Sequence, residues 1–479
     1  MTPTLADVVK AYDVRGRVPD QLDADGVRAL GAAFAEVVAV ADGASAVVIG
    51  HDMRPSSTDL VDALAEGITG RGIDAVLIGL ASTDGLYYAS GALDLPGAMF
   101  TASHNPAEYN GIKFCRSGAR PVGRDSGLAR IREVAEEHLA RGSATDGGVP
   151  PGTVTGREVL ADYAGFLRGL VDLSGSRPLR VTVDAGNGMA GLTVPAVLGT
   201  EAGLPALPLT LDPLYFELDG TFPNHEANPL DPTNLVDLQE RVRSHGADIG
   251  LAFDGDADRC FVVDEQGDPV SPSAITAMIA HREIARETAA GRPAGDVAVV
   301  HNAITSAAVP EIIGEQGARP VVTCVGHSYV KAVMSEHDAV FGGEHSAHYY
   351  FRDFWFADTG MLAALHVLAA LGEGAAPLSE VMAPYERYVA SGEINSTVED
   401  AAAVTARVRA RYEGRPGITV DDLDGMTVRH AGTEDEPMWW FNLRPSNTEP
   451  LLRLNVEAAD GDTMVRVRDD VLMMIRETR

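Results

Sequence analysis

Three carboxylates alternate in the segment FDGDADR (253–259), where Asp254, Asp256 and Asp258 follow directly on an apolar, strand-like run. Alternation in an extended segment points the three side chains the same way. Like charges this close repel one another unless a cation neutralises them, and all-oxygen ligands suit a hard ion such as Mg²⁺. The segment therefore predicts a metal site, and the adjacent Arg259 suits a phosphoryl group beside that metal.

The same acidic segment is compatible with two further structures. A solvated acidic turn needs no metal at all. An EF-hand calcium loop is a closer competitor because Glu265 stands at its twelfth position, but Arg259 occupies the sixth place, where the sharp turn needs glycine. The flanking segments also have the pattern of strands rather than helices.

A reactive hydroxyl is offered by the segment TASHNPAEYNGIKF (101–114), in which Ser103 stands among turn-forming residues. Such a loop can expose a hydroxyl, although a plain strand-to-helix turn accounts for the composition equally well. Ser103 does not lie within a G-x-S-x-G sequence, so nothing here supports a hydrolase triad.

Two further segments offer groups for a sugar phosphate. In GGEHSAHYYFRDF (342–354), Glu344, Ser346 and His348 alternate and would face one side of an extended loop, although a buried polar cluster is the commoner origin of such a pattern. The turn RPSNTEP (444–450) combines a guanidinium, two hydroxyls and an amide, which suit a phosphate anion. Its residues are Arg444, Ser446, Asn447 and Thr448. A hydroxyl, a hard metal, a sugar clamp and a phosphate cradle together describe phosphosugar chemistry.

The overall charge fits a small-molecule partner. With 38 Lys+Arg against 69 Asp+Glu, the formal net charge is -31, a field that repels nucleic acid and anionic membrane surfaces. No run approaches the roughly 18 apolar residues of a membrane span, and the N-terminus lacks a signal-peptide pattern. We therefore expect a cytoplasmic protein without nucleic-acid or membrane partners.

The elements that must position these groups are βα units, in which a short β-branched run ends in a polar turn before a helical pattern. Four such units occupy residues 46–54, 179–191, 247–259 and 296–306. In open α/β sheets the ligand groups gather at the carboxyl ends of such strands. Composition shifts predict four domains: α/β domains over 1–151, 152–267 and 268–377, and a C-terminal α+β domain with an antiparallel sheet over 378–479.

The motifs resemble those of the α-D-phosphohexomutases, and within that family the bacterial phosphomannomutase and phosphomannomutase/phosphoglucomutase group. The resemblance runs along nearly the whole chain, through AYDVRG, TASHNP, DAGNGMAG, DGTFPNHEANP, DGDADR, CVGHSYVK, GEHSAHYYF and LRPSNTEPLLRLNVEA. It implies three similar α/β domains with mixed sheets plus a C-terminal α+β domain, arranged around a central cleft.

The resemblance also implies roles for individual residues. Ser103 matches the phosphorylated serine, which would complete the Mg²⁺ coordination by Asp254, Asp256 and Asp258. The matches to groups near the reacting centre are Arg15, His104, Lys113 and His348. The matches to substrate-binding groups are Arg259, His327, Glu344, Ser346, His348, Arg444, Ser446, Asn447 and Thr448.

The implied reaction interconverts mannose 6-phosphate and mannose 1-phosphate through phosphoserine and a hexose 1,6-bisphosphate, which also serves as activator. Lys113 or His348 would exchange the hydroxyl proton, and Lys113 is favoured because a lysine beside a metal and other cations can have a lowered pKa. The alternatives are a phosphoglucomutase, a dual-specificity enzyme, a phosphatase and, more remotely, a non-catalytic sugar-phosphate-binding protein. The chain would act as a monomer or homodimer.

Two positions depart from the family pattern. Cys324 stands where relatives often have Lys or Pro, which could alter a phosphate contact. Ala257 stands in the metal loop where many relatives have glycine, and we expect it to be tolerated if the backbone there does not need a positive φ.

Overall fold

The computed structural model describes residues 4–146, 148–434, 436–445 and 451–476, which fold into two compact units. The first unit comprises the residues up to Pro272 together with Ser346–Val381, and the second comprises Ser273–His345 together with the residues from Met382 onward. Within these described ranges, none of the helices combines the length and the apolar character that a bilayer crossing requires.

The first unit opens with a seven-stranded mixed sheet. Its strands are β1 (Val14–Arg17), β2 (Ala46–His51), β3 (Asp74–Leu80), β4 (Gly97–Phe100), β5 (Tyr109–Arg116), β6 (Arg120–Pro121) and β7 (Val154–Gly156). Its helices are α1 (Leu5–Val8), α2 (Ala24–Phe34), α3 (Ser57–Thr69), α4 (Thr83–Leu93) and α5 (Ala129–Arg141), with π-helical turns at Ala35–Val40 and Arg124–Leu128. The order is β1-β5-β4-β2-β3-β7, with β6 beside β5. Strands β4, β2, β3 and β7 are parallel, whereas β5 runs antiparallel to β1 and β4. The almost continuously apolar β2 lies at the centre because both faces of a parallel sheet are buried.

A second mixed sheet follows in the same unit. Its strands are β8 (Leu179–Asp184), β9 (Leu209–Leu214), β10 (Ile249–Phe253), β11 (Cys260–Val263) and β12 (Pro269–Val270), in the order β12-β11-β10-β8-β9. Its helices are α6 (Leu160–Leu170), α7 (Ala190–Val197) and α8 (Val236–His245), with a 3-10 turn at Pro232–Leu235. The segment 247–259 is not the βα unit expected from sequence, because the β-branched run of β11 pairs antiparallel with β10 and closes a hairpin. The acidic loop is the connection of that hairpin.

The next part of the chain builds a parallel α/β arrangement in the second unit. Its elements are α9 (Pro272–Ala289), β13 (Ala298–Asn302), α10 (Ala308–Glu315), β14 (Arg319–Thr323), α11 (His327–His337) and β15 (Phe341–Gly343), with a 3-10 turn at Ala294–Asp296. Strand β13 lies between β14 and β15, and all three are parallel. The carboxyl ends of β13 and β15 therefore share one edge of the sheet, where Asn302 and Glu344 meet.

The chain then rejoins the first unit. The elements here are β16 (Tyr349–Phe351), β17 (Ala357–Asp358), α12 (Gly360–Gly372) and α13 (Leu378–Met382), with a 3-10 turn at Arg352–Phe354. Strands β16 and β17 form an antiparallel hairpin. The indole of Trp355, in the connection between them, stacks on Phe166 of α6 at 5.2 Å between ring centroids. This contact fixes the hairpin against the second sheet's helical layer.

The C-terminal part of the second unit is a five-stranded antiparallel sheet, which confirms the α+β domain predicted from sequence. Its elements are β18 (Val389–Thr397), α14 (Ala401–Tyr412), β19 (Ile418–Asp421), β20 (Met426–His430), β21 (Trp439–Pro445), β22 (Leu451–Ala458) and α15 (Gly461–Arg476), with a 3-10 turn at Ala383–Tyr385 before them. The strand order is β18-β22-β21-β20-β19. Alternate residues of β21 and β22, among them Phe441 and Leu454, enter a core with Val408 and Val467 of the two helices.

Candidate active site

Ser103 lies in the loop between β4 and β5 of the first unit, and only 5% of it is exposed. Its backbone is left-handed, with φ of 49°, and its N–H donates to the Thr101 hydroxyl at 2.9 Å. Its own hydroxyl donates to Oδ2 of Asp254 at 2.9 Å. The loop therefore brings the predicted serine to the predicted acidic cluster from a different sheet.

The three aspartates of the β10–β11 loop converge, with carboxylate oxygens within 4.8 Å of one another, and all three are buried. Their residues form a turn rather than the extended segment expected from sequence. Close packing against the serine loop shapes that turn, because a β-carbon at Gly255 would lie 2.4 Å from the Ser103 carbonyl oxygen. Ala257 adopts φ of 61°, so the condition for tolerating alanine there is not met.

The acidic cluster fits a metal site. One oxygen each of Asp256 and Asp258, Oδ1 in both cases, is buried without a hydrogen-bond partner among the described residues. A hard cation satisfies such carboxylate oxygens, which otherwise lose their hydration without compensation. Burial raises the pKa of Asp254, against the opposing effect of the Arg259 guanidinium, as expected for a carboxylate pushed close to others.

Lys113 neutralises part of this charge. Its Nζ donates to Oδ2 of Asp256 at 2.7 Å and to Oδ2 of Asp258 at 2.6 Å. Burial opposes the charged form, but the two carboxylates outweigh it and raise the pKa of Lys113 well above its usual value. The two carboxylates therefore favour the ammonium form of Lys113, opposite in direction to the lowered pKa expected from sequence, and its part in proton exchange stays a prediction.

His348 has the surroundings of a proton acceptor. Its Nδ1 lies 2.9 Å from Oδ2 of Asp358 and 3.8 Å from Oδ1 of Asp258. Burial lowers the pKa of this imidazole, but Asp258 and Asp358 outweigh burial and raise it. Because Asp358 fixes Nδ1, the other ring nitrogen is oriented for exchange with a substrate.

Arg259 and His104 flank the serine. The Arg259 guanidinium donates to Asp254 at 2.8 Å, to the Ser103 hydroxyl at 3.3 Å and to Nδ1 of His104 at 2.5 Å. Burial, followed by the charges of Arg259 and Arg15, lowers the pKa of His104 to about 2. His104 is therefore a neutral hydrogen-bonding group rather than an acid at neutral pH.

The remaining predicted residues of the first unit are Arg15 and Ser346. The Arg15 guanidinium donates to Oδ1 of Asn105 in the serine loop at 2.6 Å and to Asp13 at 2.5 Å. Ser346 is partly exposed and lies in the connection between β15 and β16. The first unit thus brings together Ser103, His104, Lys113, Arg15, Arg259, His348 and the three aspartates.

The second unit carries the other predicted groups. Oε1 of the buried Glu344 accepts hydrogen bonds from Nδ2 of Asn302 and from N of Gly326, both at 3.0 Å. His327, the next residue, begins α11 and is partly exposed. Cys324 donates to the Leu423 carbonyl at 3.2 Å, so its thiol is engaged with the turn between β19 and β20.

Arg444 of the predicted cradle lies at the end of β21. Its guanidinium nitrogens lie 3.7 Å from Glu393 and 3.9 Å from Asp424, both beyond hydrogen-bond distance. Its Nε is buried without a hydrogen-bond partner among the described residues. The other predicted cradle residues, Ser446, Asn447 and Thr448, lie outside the described residues.

Three functional contacts were missed by sequence reasoning. Asp358 pairs with His348 because β16 and β17 form a hairpin, and none of the sequence motifs indicates that hairpin. Thr83, at the start of α4, donates to Oδ2 of Asp256 at 2.5 Å. The third contact is that of Arg54, whose guanidinium donates to the Ser103 carbonyl at 2.9 Å. Its position after the carboxyl end of β2, at the sheet edge where ligand groups gather, is a sequence signal that could have identified it.

Comparison with known proteins agrees with this geometry along the whole chain. Profiles of the phosphoglucomutase/phosphomannomutase α/β/α domains I, II and III and of its C-terminal domain match residues 6–141, 161–267, 271–388 and 393–473. A Xanthomonas campestris protein described as phosphohexose mutases is 38% identical over 462 residues, 96% of each chain. An Escherichia coli phosphomannomutase is 36% identical over 477 residues, 98% of each chain.

A solved structure agrees as well. The crystal structure of a phosphoglucomutase/phosphomannomutase family protein from Burkholderia thailandensis covers 99% of this chain and 98% of its own, with 30% identity and a TM-score of 0.84. Four consecutive domain matches and two full-length relatives leave one conclusion. The chain belongs to the phosphoglucomutase/phosphomannomutase family.

Proposed function

We propose that this protein is a phosphomannomutase that interconverts mannose 6-phosphate and mannose 1-phosphate. The observation that carries the proposal is the buried Ser103 hydroxyl, hydrogen-bonded at 2.9 Å to Asp254 inside an acidic cluster and contacted by Arg259. Full-length similarity to proteins named phosphomannomutase supports mannose as the sugar.

The proposed reaction transfers a phosphoryl group between Ser103 and the sugar. As the bond from phosphorus to the serine oxygen breaks, a bond from phosphorus to the free 1- or 6-hydroxyl of the sugar forms. The hydroxyl proton passes to His348, which Asp358 orients. The departing serine oxygen takes up one proton from solvent, and His348 releases one proton to solvent, so the transfer causes no net change in bound protons. Transfer of the other phosphate of the resulting bisphosphate back to Ser103 completes the interconversion.

The proposed metal is Mg²⁺, held by Asp254, Asp256, Asp258 and an oxygen of phosphorylated Ser103. When bound, it would offset negative charge on the transferring phosphoryl group. Arg259 adds a fixed positive charge at the same oxygen atoms, since its guanidinium already contacts the Ser103 hydroxyl. Burial raises the pKa of Asp256, but the Lys113 ammonium outweighs burial and lowers it, which keeps that carboxylate ready to bind the cation.

The second unit supplies the proposed substrate-binding groups. Glu344 would accept hydrogen bonds from sugar hydroxyls, and Arg444 would pair with the phosphate that is not reacting. Ser103 is proposed to be active only when phosphorylated. A hexose 1,6-bisphosphate would then phosphorylate Ser103 again in any enzyme molecule that had lost its phosphoryl group.

The test compares kcat/KM on mannose 1-phosphate and glucose 1-phosphate with Mg²⁺ and a trace of hexose 1,6-bisphosphate. Mass spectrometry of the intact protein reports the phosphoryl group on the serine. We expect turnover of mannose 1-phosphate that the Ser103→Ala variant lacks. Similar values on both sugars would make the enzyme dual in specificity, and exclusive turnover of glucose 1-phosphate would contradict the substrate assignment. Wild-type turnover by Ser103→Ala would contradict the mechanism.

A further inference from the structure

The carbonyl groups of the serine loop share one hydrogen-bond donor. The guanidinium of Arg54 donates to the carbonyl oxygens of Ser103, Asn105, Pro106 and Tyr109, at 2.9, 2.6, 2.8 and 2.9 Å. Only 2% of Arg54 is exposed. A single buried side chain thus binds the loop at four points over seven residues, including the reacting residue itself.

Arg54 is itself held in place. Its Nε donates to Oδ2 of Asp52 at 3.2 Å and its backbone N–H to Oδ1 at 3.0 Å, while the Ser57 hydroxyl donates to the same Oδ1 at 2.9 Å. The ring of Phe222 lies 5.2 Å from the guanidinium carbon. Both charges of this ion pair are fully buried, so the guanidinium has little freedom to move.

The serine loop needs such a support. Ser103 adopts φ of 49°, a conformation that residues other than glycine rarely keep unless their surroundings enforce it. The serine side chain starts from that backbone, so its oxygen moves whenever φ relaxes. A guanidinium suits this task better than an ammonium ion, because its planar, rigid arrangement of five N–H groups fixes several acceptors at once.

We propose that Arg54 is a positioning residue that fixes the Ser103 oxygen for phosphoryl transfer in both directions. The inference rests on the proposed function. Among the described residues, the hydrogen bonds of the Arg54 guanidinium go to backbone carbonyls of the loop and to Asp52, so it acts through Ser103 rather than on the sugar. Loading of Ser103 from hexose 1,6-bisphosphate and its discharge to hexose phosphate use the same serine oxygen, and both should slow together when Arg54 changes.

The experiment compares Arg54→Lys with the matched control Arg168→Lys. The Arg168 guanidinium also donates to three carbonyls, those of Val197, Gly199 and Pro205, but none of these belongs to the proposed site. Both variants replace a carbonyl-bonded guanidinium by an ammonium ion. Urea unfolding and circular dichroism of both proteins measure how much of any loss is merely structural.

We expect Arg54→Lys to lower kcat about a hundredfold with KM for mannose 1-phosphate within about threefold of wild type, because small displacements of a reacting atom cost rate rather than binding. Single-turnover loading and discharge should fall by equal factors. Arg168→Lys should keep wild-type kcat. Wild-type kcat in folded Arg54→Lys, or a loss that follows the folded fraction in both variants, would overturn the proposal.

A second variant covers the case in which Arg54→Lys does not fold. Asp52→Asn keeps the shape of the arginine's anchor but removes its charge, so kcat should fall in the same direction by a smaller factor. A folded Asp52→Asn protein with wild-type kcat would then overturn the proposal. Failure of the proposed function is distinguishable, because in that case wild-type Ser103 itself would never accept phosphate from hexose 1,6-bisphosphate.

Discussion

The proposed reacting centre and the proposed phosphate cradle hold their charges differently. Around the aspartates, opposite charges meet at hydrogen-bond distance, as in the 2.7 and 2.6 Å contacts of Lys113 with Asp256 and Asp258. At the cradle, the two carboxylates closest to Arg444 among the described residues, those of Glu393 and Asp424, lie 3.7 and 3.9 Å away. In the first region the described charges are paired at hydrogen-bond distance, whereas in the second no described carboxylate comes within hydrogen-bond distance of Arg444.

The difference follows from what each region must bind. Ionised carboxylates buried in a protein are costly unless paired, and the acidic cluster of the proposed metal site is accordingly accompanied by the counter-charges of Lys113 and Arg259. A cradle for an anion that arrives and departs must not be saturated by its own carboxylates, since those would compete with the phosphate. Removing one charged side chain from each region therefore tests this contrast.

The largest effect is expected from Asp256→Asn. This change keeps the shape of the side chain but removes a charge that Lys113 and Thr83 contact and an oxygen with no hydrogen-bond partner among the described residues. We expect kcat to fall about a thousandfold, because preorganised charge at the reacting centre is lost. Steady-state kinetics gives kcat, and isothermal titration calorimetry with MgCl₂ gives the accompanying loss of metal affinity.

The control for Asp256→Asn is Asp212→Asn. Asp212 is ion-paired with Arg241 at 2.7 Å, so it too is a carboxylate with a hydrogen-bonded counter-charge, but it lies on β9 outside the proposed site. It should keep wild-type kcat and Mg²⁺ affinity. Unchanged magnesium binding by Asp256→Asn would refute the metal assignment.

The next effect concerns Asp84, which follows Thr83 in the first turn of α4. Its buried carboxylate accepts hydrogen bonds from Ser82, from Tyr163 at 2.7 Å and from Thr359 at 2.6 Å. Burial nevertheless raises its pKa to about 6 from the ordinary value of 3.8. The folded state therefore binds this proton more tightly than the unfolded chain, and the associated stability is full below pH 4 and is lost as pH rises through 6.

Asp84→Asn removes this titration. The difference in unfolding free energy between variant and wild type should shift in favour of the variant by roughly 3 kcal/mol between pH 4 and pH 7.5, as measured by urea denaturation. Asp74→Asn is the control, because hydrogen bonds from Thr153 lower the pKa of Asp74 and its contribution has the opposite sign. A pH-independent difference for Asp84→Asn would disprove the account.

A smaller effect, confined to binding, is expected at the cradle. Arg444→Gln removes the cation proposed to pair with phosphate, and we expect KM for mannose 1-phosphate to rise about ten- to hundredfold with kcat little changed, since a charged hydrogen bond to substrate is lost. Arg453→Gln is the control, because Arg453 neighbours Arg444 in the sheet and lies 3.6 Å from the same Glu393. If Arg444→Gln lowered kcat and left KM unchanged, the cradle assignment would be wrong.

Much of the fold was predictable because apolar runs and turns are local signals. Strands β2, β8, β10 and β13 all lie in the β-branched runs recognised from sequence. The β10–β11 hairpin was not predicted, because the residue pattern of a β-branched run does not show which strand it pairs with. The boundaries at 151, 267 and 377 stay predictions, as do the roles of Ser446, Asn447 and Thr448.

The residues that form the site could be predicted from the sequence, but their charge states could not. Ser103 and the three aspartates were identified by residue type and spacing, and the structure brings them together. The charge state of Lys113 depends on two carboxylates more than a hundred residues away, which no local pattern contains. The Asp358 partner of His348 likewise depends on long-range strand pairing.

Ala257 gives the smallest expected effect and the finest test of how the metal loop is held. Its φ of 61° disfavours any residue with a β-carbon, so Ala257→Gly should raise the unfolding free energy by about 0.5 to 1 kcal/mol. The same change at Ala129, where φ is -62° at the start of α5, should lower it by about 1 kcal/mol. Urea denaturation of the two variants measures both values. Equal destabilisation by the two changes would mean that the loop imposes no strain at 257, and that its geometry rests on the contact of Gly255 with Ser103 alone.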